Sequence, residues 1–307
     1  MAIGRLRLKK YGYDFPPYRP PSEAGSLLLR VTRGCTWNKC TFCSMYKDIR
    51  FERRPVEDIK RDISAARELY RDITTTVFIA DSNSLVIKTD NMVEILSSLY
   101  DAFPNIERVT SYARAKTLFK KSFDDLKRIR DAGLTRLHVG LETGSDLLLK
   151  RIKKGVTADE FAEACLKVKD AGFELSLYVL IGLGGEDLWE EHAFETASLL
   201  SRIDPHYIRV RTLQPQPGSE IYADMLAGRF NKATHETALK EQRKIVEKAD
   251  VNSCYLSDHI TNYLSINGVF PKDREKMLSI IDNSLTALET DPSVKQKFSR
   301  KDGIKKL

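Results

Sequence analysis

Short apolar segments alternate with longer amphipathic segments over residues 26–213, and this alternation restricts the fold more than any other feature. Segments typical of strands occupy residues 26–32, 75–81, 108–113, 136–142, 174–182 and 207–213. The segments between them have helical spacing, as in residues 56–70, where Val56, Ile59 and Ile63 lie on one face behind Pro55. Such a succession predicts a parallel sheet covered by helices. Six repeats rather than eight predict the α/β class, as a partial (β/α)6 TIM-like barrel.

The alternation stops near Glu220, where the pattern becomes mainly helical. Residues 236–249 and 273–289 have helical spacing and flank a less regular stretch. We therefore predict four regions: an N-terminal arm (1–25) rich in proline and tyrosine, a core barrel (26–219), a helical C-terminal region (220–298) that closes one side of the sheet, and a basic tail (299–307).

Composition excludes a membrane-spanning protein. No run of eighteen apolar residues occurs, and the first ten residues lack the apolar stretch of a signal peptide. The sequence therefore predicts a cytoplasmic protein without a membrane partner. The net charge of +7 suits an anionic partner, but most charges alternate in sign as they do on solvated helix faces, which makes nucleic acid the less favoured partner.

Polar and glycine-rich segments follow the predicted strands, where a parallel sheet places its working residues. These segments are a cysteine-rich loop at 34–47, DSNS at 81–84, ARAK at 113–116, ETGS at 142–145, GLGGE at 182–186 and QPQPGS at 214–219. We expect them to gather at the carboxyl edge of the sheet and to form the functional site.

Three of the five cysteines, Cys35, Cys40 and Cys43, lie within nine positions. In a reducing compartment this grouping indicates a metal site rather than a disulfide. A structural zinc site needs a fourth ligand, for which Cys254, His138, His192 and His259 are candidates. A 4Fe-4S cluster fits three cysteines better, because one iron is then open to a small molecule.

The alternative function is a zinc-stabilised module that binds nucleic acid through basic residues near the cysteines. Those basic residues are Arg30, Arg33, Lys39, Lys47, Arg50, Arg53 and Arg54. The same charges would also attract an acidic electron donor.

The cysteine loop and three later segments resemble the radical S-adenosylmethionine (SAM) superfamily over roughly residues 26–218. The later segments are LHVGLETGSDLLLKRIKKGVT, VLIGLGGED and LQPQPGSEIY. The usual cysteine spacing in that superfamily is three residues and then two, whereas four residues separate Cys35 from Cys40 here. The resemblance therefore concerns the fold and the cofactor chemistry rather than one subfamily.

The resemblance implies two cofactors, a 4Fe-4S cluster held by Cys35, Cys40 and Cys43, and SAM bound to its fourth iron. It implies an enzyme that reductively cleaves SAM to methionine and a 5'-deoxyadenosyl radical, which takes hydrogen from a small or medium-sized substrate. Reduced flavodoxin or ferredoxin would supply the electron. Only Cys165 and Cys254 remain outside the loop, too few for the auxiliary clusters of sulfur-inserting relatives.

The resemblance also implies roles for individual residues around SAM. Phe42, Ile181 and Gly182 would lie near adenine, although a buried core predicts the same Phe42 and Ile181. Asp81, Ser82 and Asn83 would contact the methionine ammonium. Glu142 would meet the ribose, where Tyr178 replaces an aspartate of several relatives, and Lys154, or else Lys153, would meet the methionine carboxylate. Arg114 and Arg209 are further candidates for contact with anionic groups of the cofactor or the substrate. The candidates for a catalytic role are Arg114, His259 and Tyr263.

Overall fold

The computed structural model describes residues 18–300, apart from the side chain of Lys297, and confirms the predicted α/β class. Residues 1–17 of the predicted arm and 301–307 of the predicted basic tail lie outside the described residues. The boundaries predicted at residues 25, 219 and 298 stay predictions.

All six predicted strands are present. The strands are β1 (Leu27–Arg30), β2 (Thr32–Arg33), β3 (Glu52–Arg53), β4 (Thr76–Ala80), β5 (Arg108–Ala113), β6 (Leu134–Glu142), β7 (Glu174–Ile181), β8 (Tyr207–Thr212), β9 (Cys254–Leu256) and β10 (Asn267–Val269). In the described part of the chain, eight of them form one sheet in the order β1-β4-β5-β6-β7-β8-β9-β10, and β2 pairs with β3 in a separate ribbon. The pairs β1/β4, β4/β5, β7/β8 and β8/β9 are parallel, as the strand–helix succession predicts.

The helices follow the predicted pattern. They are α1 (Val56–Tyr70), α2 (Thr89–Ala102), α3 (Ala115–Lys120), α4 (Phe123–Asp131), α5 (Asp146–Arg151), α6 (Ala158–Asp170), α7 (Trp189–Ile203), α8 (Glu220–Leu226), α9 (His235–Lys248), α10 (Arg274–Thr290) and α11 (Pro292–Ser299). Helix α1 begins after Pro55 and buries Ile59 and Ile63. Thr157 caps the start of α6, because its Oγ1 accepts a hydrogen bond from the Glu160 amide.

The C-terminal region also contributes strands, which the sequence analysis did not predict. Strand β9 pairs in parallel with β8, and β10 pairs antiparallel with β9. Each has only three residues, so period-two alternation cannot distinguish them from loop. Helices α9 and α10 pack against each other, which agrees with the helical character predicted for this region.

The contacts divide the described chain into two compact units. The first comprises residues 18–36, 48–138 and 167–174, and the second comprises residues 37–47, 139–166 and 175–300. The first unit contains β1, β4 and β5, and the second contains β7 to β10. The cysteine loop divides between them, because Cys35 belongs to the first unit and Cys40 and Cys43 to the second.

In the first unit, the last residues of the predicted arm are ordered against the sheet. Pro21–Glu23 form one turn of 3-10 helix, a conformation in which the prolines replace amides that would have no partner. The Glu23 carboxylate is fully buried and accepts a hydrogen bond from Ser26 Oγ (2.6 Å), with His138 Nε2 at 3.4 Å and Arg108 Nη2 at 3.5 Å. This cluster ties the arm to β5 and β6.

Within residues 18–300, no helix has both the length and the apolar composition required to cross a membrane.

Candidate active site

None of the three clustered cysteines is in a disulfide, and each is half-buried. Half-buried thiols fit the donor set of an iron-sulfur cluster, whose thiolate ligands must lie within reach of a cofactor. Among residues 18–300, no three side chains of the His, Cys, Asp and Glu types converge on a position for a single metal ion. A cubane does not require such convergence, because each thiolate binds a different iron.

In the first unit, residues at the end of β4 hold the backbone on both sides of Cys35. The Gly34 amide donates to Asp81 Oδ2 (3.1 Å), and Ser82 Oγ donates to the Gly34 carbonyl (2.9 Å). Asn83 Nδ2 donates to Thr36 Oγ1 (3.1 Å). We call Asp81, Ser82 and Asn83 the loop latch, because these three side chains fix the chain immediately before and after a predicted cluster ligand.

The contacts of the loop latch limit which of Asp81, Ser82 and Asn83 can also contact a cofactor. Asp81 is fully buried and lies 3.5 Å from Arg30 Nε, so its charge is already balanced within the protein. Asn83 is also fully buried. Of the three residues predicted to contact the methionine ammonium, only Ser82 is half-exposed. The contacts give Asp81 and Asn83 a positioning role, which residue type and spacing did not indicate.

Arg114 lies beside this latch at the end of β5. Its backbone amide donates to Asn83 Oδ1 (3.1 Å), and Asn83 Nδ2 also donates to Thr117 Oγ1 (2.9 Å). One buried amide side chain therefore connects the cysteine loop with the segment after β5. The Arg114 side chain is half-exposed.

In the second unit, the rest of the cysteine loop packs on the segment after α5. Trp37 Nε1 donates to the Lys153 carbonyl (2.7 Å), and the Thr41 amide donates to the Ile152 carbonyl (3.0 Å). Gly155 has a positive φ of 76°, and a Cβ there would lie 2.5 Å from Trp37 Cζ2. The loop therefore requires glycine at this position for both conformation and space.

Glu142, Lys154 and Phe42 form a small group at the end of β6. Lys154 Nζ lies 2.7 Å from Glu142 Oε1, and both side chains are 14% exposed. The same ammonium lies 5.7 Å from the centre of the Phe42 ring, a cation–π distance. A Cβ at Gly140 would lie 2.1 Å from Glu142 Oε1, so the glycine provides space for this carboxylate. The structure thus brings together three residues that the resemblance assigned to SAM.

Lys153, the alternative to Lys154, points elsewhere. Its Nζ lies 2.5 Å from Glu220 Oε2, and the side chain is 54% exposed. Lys154 is therefore the lysine placed beside Glu142 and Phe42. Phe42 also packs against the apolar cluster of Ile152, Leu183, Leu213, Ile221 and Phe230, so it has both a core contact and a contact with the lysine.

A fully buried histidine–glutamate pair contacts two of the segments predicted to bind cofactor, one at Glu142 and one at Gly182. His192 Nδ1 lies 2.7 Å from Glu241 Oε1, and both side chains are fully buried. Glu241 also accepts from the Gly182 amide (3.0 and 3.1 Å), and His192 Nε2 lies 3.1 Å from the Glu142 carbonyl. Burial lowers the pKa of His192, but the Glu241 carboxylate more than offsets this and raises the pKa above its ordinary value.

This pair was not predicted from the sequence. Glu241 lies in α9 on the same face as the buried residues Ala238 and Ile245. A glutamate three or four positions from apolar residues on one helix face is the signal that would have marked it.

The remaining predicted residues occupy different environments. Ile181 is buried, and Tyr178 is 7% exposed with the Arg211 guanidinium 5.0 Å from the centre of its ring. Tyr263 is 4% exposed, and its ring packs against the rings of His235 and Phe298 at 6.0 Å, contacts typical of a core residue. His259 is half-buried, and its Nδ1 lies 2.8 Å from Thr261 Oγ1.

The basic residues around the cysteines do not form one solvated surface. Arg30 is 3% exposed beside Asp81, and Arg54 pairs with Asp62 at 2.5 Å. Lys47 Nζ donates to the carbonyls of Asn38 (3.1 Å) and Cys40 (3.4 Å). Arg30, Arg54 and Lys47 therefore have partners within the protein. Lys39, Arg50 and Arg53 are exposed.

The zinc alternative is not supported. Two of its candidate fourth ligands contact buried carboxylates, His138 near Glu23 and His192 beside Glu241. His259 Nδ1 contacts Thr261.

Solved structures of low sequence identity share the fold of this chain. Methylornithine synthase (PylB) has a TM-score of 0.52 at 17% identity, and the alignment covers 90% of this chain and 85% of that chain. The [FeFe]-hydrogenase maturase HydG has a TM-score of 0.52 at 19% identity, with 83% and 54% covered. These likenesses support the partial-barrel fold.

The chain also matches curated proteins, but it spans only part of their length. The chain is 27% identical over 192 residues to the threonylcarbamoyladenosine tRNA methylthiotransferase MtaB of Bacillus subtilis (61% of this chain, 41% of the relative). It is 23% identical over 237 residues to the heme chaperone HemW of Buchnera aphidicola (75% and 60%). It is 24% identical over 290 residues to the tRNA-2-methylthio-N(6)-dimethylallyladenosine synthase of Petrotoga mobilis (85% and 64%). In each case the chain spans less than two thirds of the relative.

A family match covers residues 29–197 with the description Radical SAM superfamily. This segment includes the cysteine loop, the latch, Glu142, Lys154 and the turn at Gly182, and members of the family use a 4Fe-4S cluster and SAM. On this match, which covers more than half of the sequence, the chain belongs to the radical SAM superfamily.

Proposed function

We propose that this chain is an enzyme that reductively cleaves SAM and uses the resulting 5'-deoxyadenosyl radical to take hydrogen from a substrate. The observation that supports it most is the cysteine loop itself. Three half-buried thiols lie on one loop. The latch fixes this loop at Gly34 and Thr36, and the carbonyls of Ile152 and Lys153 fix it at Thr41 and Trp37.

Cys35, Cys40 and Cys43 would hold the 4Fe-4S cluster. When bound, the cluster supplies one electron to the sulfonium of SAM and offers an open iron to its methionine group. The loop contacts are the contribution of this chain: they restrict the backbone on each side of the ligands, so less conformational freedom remains to be lost when cofactor binds.

Residues of the second unit suit the recognition of SAM. Lys154 would bind the methionine carboxylate, Glu142 the ribose hydroxyls, and Phe42 with Ile181 and Gly182 the adenine. Because Lys154 already pairs with Glu142 at low exposure, the pair presents one donor group and one acceptor group without leaving an unbalanced buried charge. In the first unit, Ser82 would accept a hydrogen bond from the methionine ammonium, while Asp81 and Asn83 hold the loop.

The partners we propose are reduced flavodoxin or ferredoxin as electron donor and a small or medium-sized substrate. The net charge of +7 favours an acidic donor. The five cysteines of the described residues form no disulfide, which suits a reducing compartment and supports a cytoplasmic location.

The test is formation of 5'-deoxyadenosine. Anaerobically reconstituted protein is mixed with SAM and sodium dithionite, with and without cell extract, and the nucleoside is measured by mass spectrometry. We expect 5'-deoxyadenosine from the unmodified protein and from Cys165→Ala, and none from Cys40→Ala. Protein that retains an intact cluster yet forms no 5'-deoxyadenosine, even with extract, would contradict the proposal.

A further inference from the structure

Strand β8 in the second unit places two arginines on one face. Because side chains alternate along a strand, Tyr207, Arg209 and Arg211 share a face, and Ile208 and Val210 lie on the opposite one. The opposite face is apolar and buried, with Ile208 at 0% and Val210 at 2% exposure. The register pairs Arg209 with Tyr178 and Arg211 with Leu180 of β7. The face of Arg209 and Arg211 is therefore the polar face of this part of the sheet.

Arg209 is a buried cation with a neutral partner. It is 9% exposed, and its Nε donates to Ser176 Oγ at 3.2 Å. In residues 18–300, neither Arg209 nor Arg211 has a carboxylate within ion-pair distance, whereas Arg202, Arg229 and Arg243 of the same unit do. Removing a guanidinium from water without a counter-charge is costly, so buried arginines are normally paired.

Arg211 is the second cation of this face, about 7 Å from Arg209 along the strand by the ordinary rise per residue. Its guanidinium lies 5.0 Å from the centre of the Tyr178 ring, which holds the planar group while leaving its edge available for hydrogen bonds. Two like charges on one strand face repel each other, and an anion between them removes that repulsion.

A neutral histidine donor lies near Arg211. The Thr261 amide donates to His259 Nδ1 (3.3 Å), which assigns the ring proton to Nε2 in the neutral form. Burial and then the charge of Arg211 lower the pKa of His259 to about 4, so the ring is neutral at pH 7. The loop is tied to β8, because the Thr212 amide donates to Thr261 Oγ1 (3.4 Å) and Asn262 Nδ2 donates to the Val210 carbonyl (2.8 Å).

We propose that Arg209 and Arg211, with His259 Nε2–H as a further donor, form a binding site for an oxyanion group of the substrate, either a phosphate or a carboxylate. The inference rests on the proposed function and adds the charge class of the substrate. In the proposed function Lys154 binds the methionine carboxylate of SAM, so Arg209 and Arg211 are left for an anionic group of the substrate rather than of the cofactor.

The test uses the reconstituted protein saturated with SAM, in chloride buffer of constant ionic strength. Isothermal titration calorimetry measures binding of inorganic phosphate in one arm and of sodium succinate in the other. The variants are Arg209→Gln and Arg211→Gln, and the matched control is Arg202→Gln, an arginine that is 50% exposed and paired with Asp159. Circular dichroism and iron content establish that each variant is folded and loaded, and Arg209→Lys replaces Arg209→Gln if the latter is not.

We expect one of the two anions to bind one per chain, and each Gln variant to weaken it at least about tenfold, the loss typical of one charge-assisted hydrogen bond. Arg202→Gln should leave the anion affinity unchanged, and all variants should keep the SAM affinity of the parent. Saturable binding of neither anion, or equal loss in Arg202→Gln, would overturn the proposal. Loss of SAM affinity in the Arg209 and Arg211 variants would assign the arginines to the cofactor instead. 5'-Deoxyadenosine formation by the same parent preparation tests the proposed function separately.

Discussion

Replacing Glu23 by glutamine removes a buried charge at the point where the N-terminal segment meets the sheet. The carboxylate has 0% exposure and lies among Ser26, His138 and Arg108. Burial raises its pKa, but the hydrogen bonds from His138 and Ser26 and the charge of Arg108 outweigh burial and hold the pKa at about 2, against an ordinary 4.5. A pKa lowered in the folded state means that the ionised carboxylate stabilises the fold above pH 4.5 and that this contribution falls as the pH falls toward 2.

The magnitude follows from the two pKa values. At 1.36 kcal/mol per pKa unit, a shift from 4.5 to about 2 corresponds to about 3 kcal/mol at pH 7. The same linkage leaves about 2 kcal/mol at pH 3.5, because the unfolded carboxyl is then mostly protonated while the folded one is still ionised. Glutamine has a similar shape and no charge, so the variant should lose this contribution.

The assay is urea unfolding of parent and Glu23→Gln at several values of pH from 7 down to 3.5, with the free energy of unfolding compared at each pH. Glu275→Gln, at an exposed position of α10, is the control and should match the parent. We expect a gap of about 3 kcal/mol at pH 7 that narrows as the pH falls. A gap below about 1 kcal/mol at pH 7, the worth of an ordinary hydrogen bond, or one that widens in acid, would refute the reasoning.

Three further substitutions test the contacts around the site. Asn83→Ala removes three buried hydrogen bonds and should lower the free energy of unfolding by about 2 to 3 kcal/mol, measured by urea denaturation. Glu241→Gln should lower the pKa of His192, because the carboxylate then no longer offsets the effect of burial. NMR titration of the imidazole measures this pKa, and an unchanged value would contradict the assigned cause. Gly155→Ala should displace Trp37 and shift tryptophan fluorescence, since the new Cβ would lie 2.5 Å from its ring, and it should cost at least about 1 kcal/mol through its positive φ. An unshifted spectrum would show that the ring is not in contact.

The periodicity of the sequence was sufficient to predict the sheet and the helices, because strand and helix periods are local properties. The helix at residues 56–70 and the strand at 108–113 agree with the structure residue for residue. Strands β9 and β10 are too short for a periodic signal and form only by pairing with β8 and with each other. Their existence is a tertiary effect that local pattern does not contain.

In the site too, residue type and spacing are visible in the sequence, whereas contacts between elements are not. Residue type and spacing singled out Cys35, Cys40 and Cys43, and the resemblance brought in Glu142 and Lys154, which the structure places in contact. Spacing does not reveal which partner a polar side chain will choose. Asp81 faces Arg30 and Gly34, and these partners come from other elements of the first unit.

The sequence could likewise not show that Arg209 and Arg211 form an anion site. Their separation by two on a strand was visible in the sequence, but the absence of nearby carboxylates in the described residues depends on the fold.

The most direct test of the central claim is electron paramagnetic resonance of the reduced cluster, with and without SAM. We predict that the reconstituted protein binds four irons per chain, as a cubane requires, and that SAM changes the spectrum because it binds at the open iron. Cys165→Ala and Cys254→Ala should behave like the parent, while alanine at Cys35, Cys40 or Cys43 should abolish the signal. A spectrum insensitive to SAM, or a cluster that requires Cys254, would contradict a three-cysteine cluster with an iron open to SAM.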